Sequence, residues 1–335
     1  MQNSLLTVIR PLPIVPNNEW WKPNHGRAKG VVMFTFNRGI DSRFIDRLNA
    51  EYERGGWWRA IASDPDLFIA IRDGYLNIYR NGSSLLKLTL DGDRLAGETH
   101  YKYLLRPDSR KPYVPVDGGV VKLPDAAALF HTDLSDMSAL KRAAAAYVGD
   151  EKAGVHRIVL SNSNVVDVEV TFGVTGNGEE APSTRRIDFA ALHSVADGAE
   201  IVFYEAKAFA NKELRAGSDT QPPVIGQIEG YRKLLVEHTD ALARSYRAVC
   251  GNLVALDGVR ERYGASLDLM RRLASNDAKL NVNEAVSLVV FGFDSDQRDG
   301  TVWKGHREKL EATLGKRLLL KGDPQGFTRG ISTPV

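Results

Sequence analysis

The sequence has little cysteine and no long apolar stretch, and each of these absences excludes some classes of protein. Cys250 is the only cysteine among 335 residues, so we expect no internal disulfide and no zinc site built on several thiolates. No stretch reaches the roughly 18 consecutive apolar residues that a membrane span needs. The N-terminal segment has no basic start and is interrupted by Pro11, Pro13 and Pro16, unlike a signal peptide. We therefore expect a cytoplasmic protein with no membrane partner.

The signatures of several common enzyme classes are also missing. The chain has no GxxxxGK[ST] phosphate-binding loop, no GxGxxG between a strand and a helix, and neither HExxH nor GxSxG. The seven histidines are scattered along the chain, so none of them suggests a metal centre. A net charge of +2 is too small to indicate a nucleic-acid-binding protein by itself. These absences argue against the best-marked nucleotide-binding, zinc-protease and serine-hydrolase classes.

The composition is that of a globular protein, 43% apolar and 26% charged, and the pattern divides into two unlike parts. In the first part, short β-rich runs are separated by Asp73-Gly74 and Asn81-Gly82. Such dipeptides favour the two-residue turns of β-hairpins, so we predict a β-meander. The proline-rich residues 106–125 are interpreted as a linker. The predicted domains are an N-terminal α+β accessory domain, 1–125, and a second domain, 126–335.

The second part alternates strand and helix patterns, which predicts a mixed α/β fold in which helices flank a mixed sheet. Residues 138–148 are rich in alanine and predict a helix, whereas 155–160 (VHRIVL) are interpreted as a strand. Two β-rich runs, one around Asp188 and one over 201–209, predict neighbouring strands. Residues 223–250 have the apolar spacing of a helix.

One group of charged residues lies within these apolar strands. Glu205 and Lys207 are two residues apart, so in a strand their side chains lie on the same face. The preceding predicted strand carries Asp188. A two-residue turn at Asp197-Gly198 would pair Asp188 with Lys207 and make Glu205 its diagonal neighbour. A shift of two residues would keep all three side chains on one face, whereas a shift of one would separate them.

The chemistry available to this group is metal-assisted hydrolysis. Diagonal neighbours have Cβ atoms roughly 7 Å apart or less, and Mg²⁺ takes oxygen ligands at about 2.1 Å. We expect Asp188 and Glu205 to hold Mg²⁺ (or Mn²⁺), with the backbone carbonyl of Ala206 as a further ligand. The metal would activate a bound water and stabilise charge on a phosphoryl oxygen. Lys207 would orient that water, help to deprotonate it, or stabilise the transition state.

Asp188, followed seventeen residues later by Glu205-Ala-Lys207, resembles the motif of the PD-(D/E)XK nuclease superfamily. Gln227 and Tyr231 add a QxxxY pair on one face of the next helix, which is similar to the RecB-like branch. The resemblance implies a restriction-endonuclease-like core with the order helix–strand–strand–strand–helix–strand. It also implies that Gln227 and Tyr231 lie beside the active centre and contact the substrate or orient the lysine.

The chain departs from the family pattern at two points. Ile187 precedes Asp188 where the motif name has a proline, and the predicted first core helix, 138–148, carries no acidic residue. Glu151 or Glu169 could take the place of that carboxylate. Whether one or two metal ions bind therefore stays open.

Few other side chains are candidates for contact with nucleic acid. Lys212 and Arg215 follow the motif and would either contact the phosphate backbone or form a solvated helix start. The pairs Trp20-Trp21 and Trp57-Trp58 could stack on bases, but we interpret them as core or interface residues.

The sequence therefore predicts a magnesium-dependent nuclease that acts on nucleic acid, and the resemblance favours DNA over RNA. Bacterial defence, such as restriction or antiviral defence, or DNA processing would suit such an enzyme. The N-terminal domain would serve substrate recognition or oligomerisation, as a homo-oligomer or with a partner protein. Two alternatives stay open. One is a catalytically degenerate nuclease-fold protein that binds nucleic acid or acts as a scaffold, and the other is a phosphodiesterase acting on a nucleotide.

Overall fold

The N-terminal part of the molecule is built on an antiparallel meander. The structure, a computed structural model, describes residues 33–104, 112–122, 133–175, 186–322 and Ile331. In chain order, the first elements are β1 (Met33–Thr35), α1 (Ser42–Glu53), α2 (Trp57–Ala62), β2 (Phe68–Ile71), β3 (Tyr75–Arg80), β4 (Ser83–Asp91), β5 (Arg94–His100), a 3-10 helix (Tyr101–Leu104), β6 (Tyr113–Asp117) and β7 (Val120–Val121). Strands β2 to β7 form one sheet in sequential order.

The predicted meander is confirmed, but only one of its two predicted dipeptide turns has the expected backbone, since at Asp73-Gly74 only Gly74 has a positive φ. Asn81 and Gly82 connect β3 to β4 with positive φ angles of 49° and 69°, as the two-residue hairpin turn requires. The linker predicted over 106–125 is wrong for the residues that the structure describes there. Strands β6 and β7 pair within the same sheet, and Pro115 lies inside β6, where its carbonyl accepts a hydrogen bond from the Lys122 N–H. The high proline content of this segment suggests a linker, although β6 and β7 within it are paired strands.

The second part contains the remaining elements. They are α3 (Ser138–Ala145), α4 (Asp150–Ser161), β8 (Val165–Thr171), β9 (Gly173–Thr175), β10 (Arg186–Val195), β11 (Gly198–Ala208), α5 (Pro223–Glu237), α6 (Thr239–Ala255), α7 (Leu267–Ala274), β12 (Lys279–Val282), β13 (Ser287–Phe291), α8 (Ser295–Asp299), α9 (Thr301–Leu314) and β14 (Leu318–Leu320). Further 3-10 turns cover Lys212–Leu214, Val259–Ser266 and Gly315–Arg317. Helix and strand thus alternate, and the mixed α/β class is confirmed.

Two predicted elements of this part are corrected. The strand predicted over 155–160 is the C-terminal half of α4. Its Val and Ile residues suggested a strand, but Asp150 and Glu151 in the first turn of α4 complement the helix dipole, and Ile158 packs in the core. The helix predicted over 223–250 is two helices, because α5 ends at Glu237 and α6 begins at Thr239, with His238 between them.

The sheet of the second part is mixed. Its order is β14-β13-β11-β10-β8, and β12 pairs with β11 beyond the end of β13. Strand β10 is antiparallel to both of its neighbours, β8 and β11, whereas β12 and β13 run parallel to β11. The long hairpin of β10 and β11 therefore lies at the centre of the sheet, with α5 and α6 following it in the chain.

The two parts share one apolar core. A single cluster of buried side chains contains residues of the meander, such as Leu88, and residues of the second sheet, such as Phe203. Trp57 and Trp58 belong to this cluster, as predicted, whereas Trp20 and Trp21 lie outside the described residues. No helix within the described ranges is long and apolar enough to cross a membrane.

A buried ionic network also joins the two parts. The Asp167 carboxylate on β8 contacts the guanidinium groups of Arg72 and of Arg38, the latter at 3.2 Å from Nε to Oδ2. Tyr246 on α6 donates a hydrogen bond of 3.2 Å to Asp167 Oδ2, and Arg72 donates to the Val168 carbonyl at 2.6 Å. All three ionic side chains are less than 10% exposed. Each buried charge in this network is therefore stabilised by the opposite charge beside it.

We expect Asp167→Asn to destabilise the protein by about 3–5 kcal/mol, because it leaves two buried guanidinium groups without a counter-charge. The isosteric change creates no cavity, so the loss reports on the charge. Chemical denaturation measures it. Asp93→Asn is the matched control: Asp93 pairs with Arg43 at an exposed site, where a pair contributes about 1 kcal/mol or less. Equal losses in the two variants would contradict the expectation.

Candidate functional site

The central hairpin brings the predicted acidic residues together. Val195 pairs with Gly198 and Phe189 pairs with Tyr204, and the same register places Asp188 directly opposite Glu205. The predicted pairing of Asp188 with Lys207 is therefore wrong by two residues. Because side chains alternate between the two faces of a strand, a shift of two residues leaves Asp188, Glu205 and Lys207 on one face of the sheet.

The register differs because the turn occupies Ala196 and Asp197 rather than Asp197 and Gly198. Gly198 begins β11 and also pairs with Lys279 of β12. A Cβ atom at Gly198 would lie 2.1 Å from the Lys279 carbonyl oxygen, and its φ is +155°. The glycine therefore serves the close approach of a third strand, which the hairpin sequence alone does not reveal.

A row of carboxylates crosses the sheet at this position. Asp188 lies between the pairs Ile187–Val170 and Phe189–Val168, which places Glu169 of β8 across from it on the other side. Glu169 forms an ion pair with Arg186 and has a φ of +50°, in the left-handed region that non-glycine residues rarely adopt. Such strained residues are concentrated at functional sites.

Lys207 is the centre of an ionic triad. Its Nζ lies 2.8 Å from Glu205 Oε1 and 2.8 Å from Glu213 Oε2. Glu205 is 2% exposed and Lys207 8% exposed, while Glu213 reaches them from the 3-10 turn that follows β11. Sequence reasoning did not identify Glu213, since no local spacing relates it to Lys207 and only the return of the chain brings it there.

The carboxylate oxygens differ in how they are satisfied. The Ala206 N–H donates a hydrogen bond of 2.7 Å to Asp188 Oδ2, which holds this side chain against β11. Glu205 Oε2 is buried and accepts no hydrogen bond from any part of the chain that the structure describes. A buried acceptor without a donor is costly, and a cation would satisfy it. The Asp188 and Glu205 pair thus fits the predicted divalent metal, and the role of the Ala206 carbonyl stays a prediction.

The pKa values of the charged residues in the site are shifted by burial and by the charges close to them. Burial raises the pKa of Glu205 to about 7, even though the neighbouring Lys207 acts in the opposite direction. Burial, together with the charge of Glu205, also raises the pKa of Asp188 well above its usual range. For Lys207, burial alone would lower the pKa, but the ion pairs with Glu205 and Glu213 raise it. The lysine therefore stays charged at neutral pH while the two carboxyls resist ionising together.

This crowding predicts a pH dependence of stability in the metal-free protein. Because the pKa of Glu205 is raised on folding, the stability it contributes is present below about pH 4.5 and lost as the pH rises through about 7. We expect Glu205→Gln to remove that loss, on the order of 2–3 kcal/mol. Unfolding in EDTA between pH 4.5 and 8 measures it, with the exposed Glu237→Gln as control. Parallel pH profiles for wild type and Glu205→Gln would contradict the expectation.

The predicted QxxxY pair, Gln227 and Tyr231, lies beside the start of β10, near Asp188. Tyr231 is buried and donates a hydrogen bond of 2.6 Å to the Arg186 carbonyl, two residues before Asp188. Gln227 donates to the Tyr231 hydroxyl at 2.7 Å. The pair thus holds the start of β10, and no hydrogen bond to Lys207 is among the described contacts of either residue. Contact with a substrate stays a prediction.

Of the two candidate replacement carboxylates, Glu151 lies at the end of β11. It sits in the first turn of α4, the helix that immediately precedes the sheet, and its Oε2 accepts hydrogen bonds from the Ala208 N–H at 2.9 Å and from Asn211 at 2.8 Å. Its charge contributes to the raised pKa of Glu205. Glu169 is the other candidate and lies across from Asp188, as described above.

The segment between β11 and α5 is anchored to α9. Lys309 Nζ donates to the carbonyls of Gly217, Ser218 and Thr220 at 2.6 to 2.9 Å. Arg215 donates to the Phe209 carbonyl at 2.6 Å and lies over the Phe209 ring, so it secures the loop. Lys212 is exposed, which keeps it available to a phosphate.

Comparison with known proteins adds no assignment. No protein-family model, curated protein or solved structure matches the chain. Across the described part of the chain, no three or more His, Cys, Asp or Glu side chains are grouped so as to hold a metal ion. The predicted metal site needs only two carboxylates and a backbone carbonyl, so it is not such a group.

Proposed function

We propose that the chain is a magnesium- or manganese-dependent nuclease with a PD-(D/E)XK-type core. One observation carries the proposal: Asp188 and Glu205 face each other on a central hairpin, and Lys207 forms an ion pair with Glu205 on the same face. Two carboxylates beside a buried lysine can hold a metal ion and stabilise the charge that develops in phosphodiester hydrolysis.

The order of elements supports the proposal. Helix α4, strands β8, β10 and β11, helices α5 and α6, and strand β13 occur in this chain order, with β9 inserted after β8 and α7 and β12 inserted before β13. Apart from these insertions, this is the helix–strand–strand–strand–helix–strand order that the sequence resemblance implies, with α4 rather than the predicted helix 138–148 directly before the strands. The QxxxY pair on α5 also lies beside the hairpin, bonded to the backbone near Asp188.

Asp188 and Glu205 would hold the metal ion, which supplies an activated water and neutralises charge on the phosphate. Asp188 is positioned for this by the Ala206 N–H, and Glu205 by Lys207. Lys207, charged and buried, would stabilise the negative charge that develops on the phosphoryl oxygens. Tyr231 and Gln227 would keep the start of β10, and with it Asp188, in place.

A substrate panel tests the proposal. Wild-type protein is incubated with linear and circular, single- and double-stranded DNA and with RNA, in Mg²⁺, Mn²⁺ or EDTA. We expect cleavage that requires the metal, with DNA preferred, and loss of circular DNA would identify endonuclease action. A mononucleotide phosphodiester in the same panel tests the nucleotide-phosphodiesterase alternative. If none of these substrates is cleaved under any of the metal conditions, the proposed nuclease activity is wrong.

A further inference from the structure

Close to the site, a second surface combines two lysines with an exposed tyrosine. We call Lys102, Tyr147 and Lys152 the aromatic-basic surface. Lys102 Nζ lies 5.0 Å from the ring centroid of Tyr103 and 5.5 Å from that of Tyr147. Tyr103 is buried, whereas Tyr147 is 52% exposed, the two rings meeting edge to face with centroids 6.4 Å apart. One ring thus anchors the ammonium group, and the other is open to a ligand.

The two lysines concentrate positive charge beside this ring. Lys152 is exposed. Burial lowers the pKa of Lys102, and the charge of Lys152 lowers it further, which places the two ammonium groups in each other's field. Neighbouring like charges beside an exposed aromatic ring favour a polyanion that also carries flat rings.

Helix α4 connects this surface to the candidate active site. Its consecutive residues Glu151 and Lys152 diverge: Glu151 accepts a hydrogen bond from the N–H of Ala208, which directly follows Lys207. The Lys152 stem instead lies over the turn between β3 and β4, where a Cβ atom built on Gly82 would be 3.1 Å from Lys152 Cδ. The first turn of α4 thus contacts the end of β11 through Glu151 and the β3–β4 turn through Lys152.

We propose that the aromatic-basic surface binds single-stranded nucleic acid, with a base stacked on Tyr147 and flanking phosphates held by Lys102 and Lys152. Stacking on an exposed ring requires an unstacked base, which a duplex does not offer, whereas every base of a single strand does. The inference rests on the proposed function, since it assigns the surface to the substrate of that site, but binding is measurable without cleavage.

The test is fluorescence anisotropy in EDTA with labelled single-stranded DNA, single-stranded RNA and duplex DNA of about 16 nucleotides, the upper range of such binding sites. We expect Tyr147→Ala to bind single strands about tenfold more weakly and Tyr147→Trp to retain binding. We expect Lys152→Ala to reduce the slope of log affinity against log salt by about 0.7, the value for one lost phosphate contact. The DNA and RNA arms identify which strand is preferred.

Tyr75→Ala is the matched control, because Lys87 Nζ lies 4.9 Å from the Tyr75 ring at the other end of β3. The inference is overturned by unchanged affinity in Tyr147→Ala, by an equal loss in Tyr75→Ala, by an equal loss for duplex DNA, or by a wild type that binds no single strand. A protein that binds single strands through Tyr147 yet cleaves none supports this inference while removing the proposed nuclease activity.

Discussion

Replacing Lys207 with alanine should slow phosphodiester cleavage by about 10²–10³-fold while DNA binding persists. Lys207 is the one cation in contact with Glu205 at the centre of the site, within the described residues, and its charge has no substitute there. Removing a single preorganised charge that stabilises a transition state costs about 10²–10³-fold in rate. Single-turnover cleavage of a labelled strand in Mg²⁺ measures the loss.

The controls separate chemistry from folding. Lys207→Ala leaves Glu205 and Glu213 without their shared partner, so Lys207→Met, which retains most of the stem volume, should accompany it. Lys304→Met is the matched control, since Lys304 is an exposed lysine on α9 to which no role in the site is assigned. Circular dichroism melts establish that each variant is folded. Full cleavage by a pure Lys207→Ala preparation would contradict the assignment of Lys207 to the active site.

The second large effect concerns the metal itself. Asp188→Asn should remove both cleavage and metal-dependent stabilisation, because an amide does not neutralise a divalent cation. The variant retains a side-chain oxygen that can accept the 2.7 Å hydrogen bond from the Ala206 N–H, so the hairpin geometry is preserved. In EDTA the variant should be at least as stable as wild type, since the repulsion between Asp188 and Glu205 is gone.

Thermal unfolding with Mg²⁺, Mn²⁺ or EDTA checks this expectation. A ligand at 100 times its dissociation constant stabilises by about 2.7 kcal/mol, so the wild-type midpoint should rise with the metal and that of Asp188→Asn should not. Asp268→Asn, at an exposed position on α7, should behave as wild type. Equal metal-dependent rises in wild type and Asp188→Asn would place the ion elsewhere.

A wild-type melting curve that does not respond to millimolar metal would favour the rival function, a degenerate nuclease fold that binds nucleic acid or acts as a scaffold. The low net charge of +2 is compatible with that reading. The Tyr147 binding experiment then becomes decisive, because it requires no catalysis.

The sequence predicted which charged side chains share a face of the hairpin better than it predicted their register. Glu205 and Lys207 share a face because side chains alternate along any strand, and Asp188 joins them under every even register. The register itself was misjudged by two residues, because Gly198 serves contact with Lys279 of a distant strand rather than the turn. The helix α4 was missed for a related reason, since its Val and Ile residues suit either structure until the packing is known.

Local spacing by itself determined the mixed α/β class, the meander and the identity of the acidic pair with its lysine, because alternation and turn dipeptides act between residues that are close in the chain. Only the tertiary structure decided that Glu213 shares Lys207, that Glu151 reaches Ala208, that Asp167 compensates two arginines, and that Tyr147 stands exposed beside Lys102. Each of these contacts joins separate elements. Their formation depends on how the elements pack, which no local period encodes.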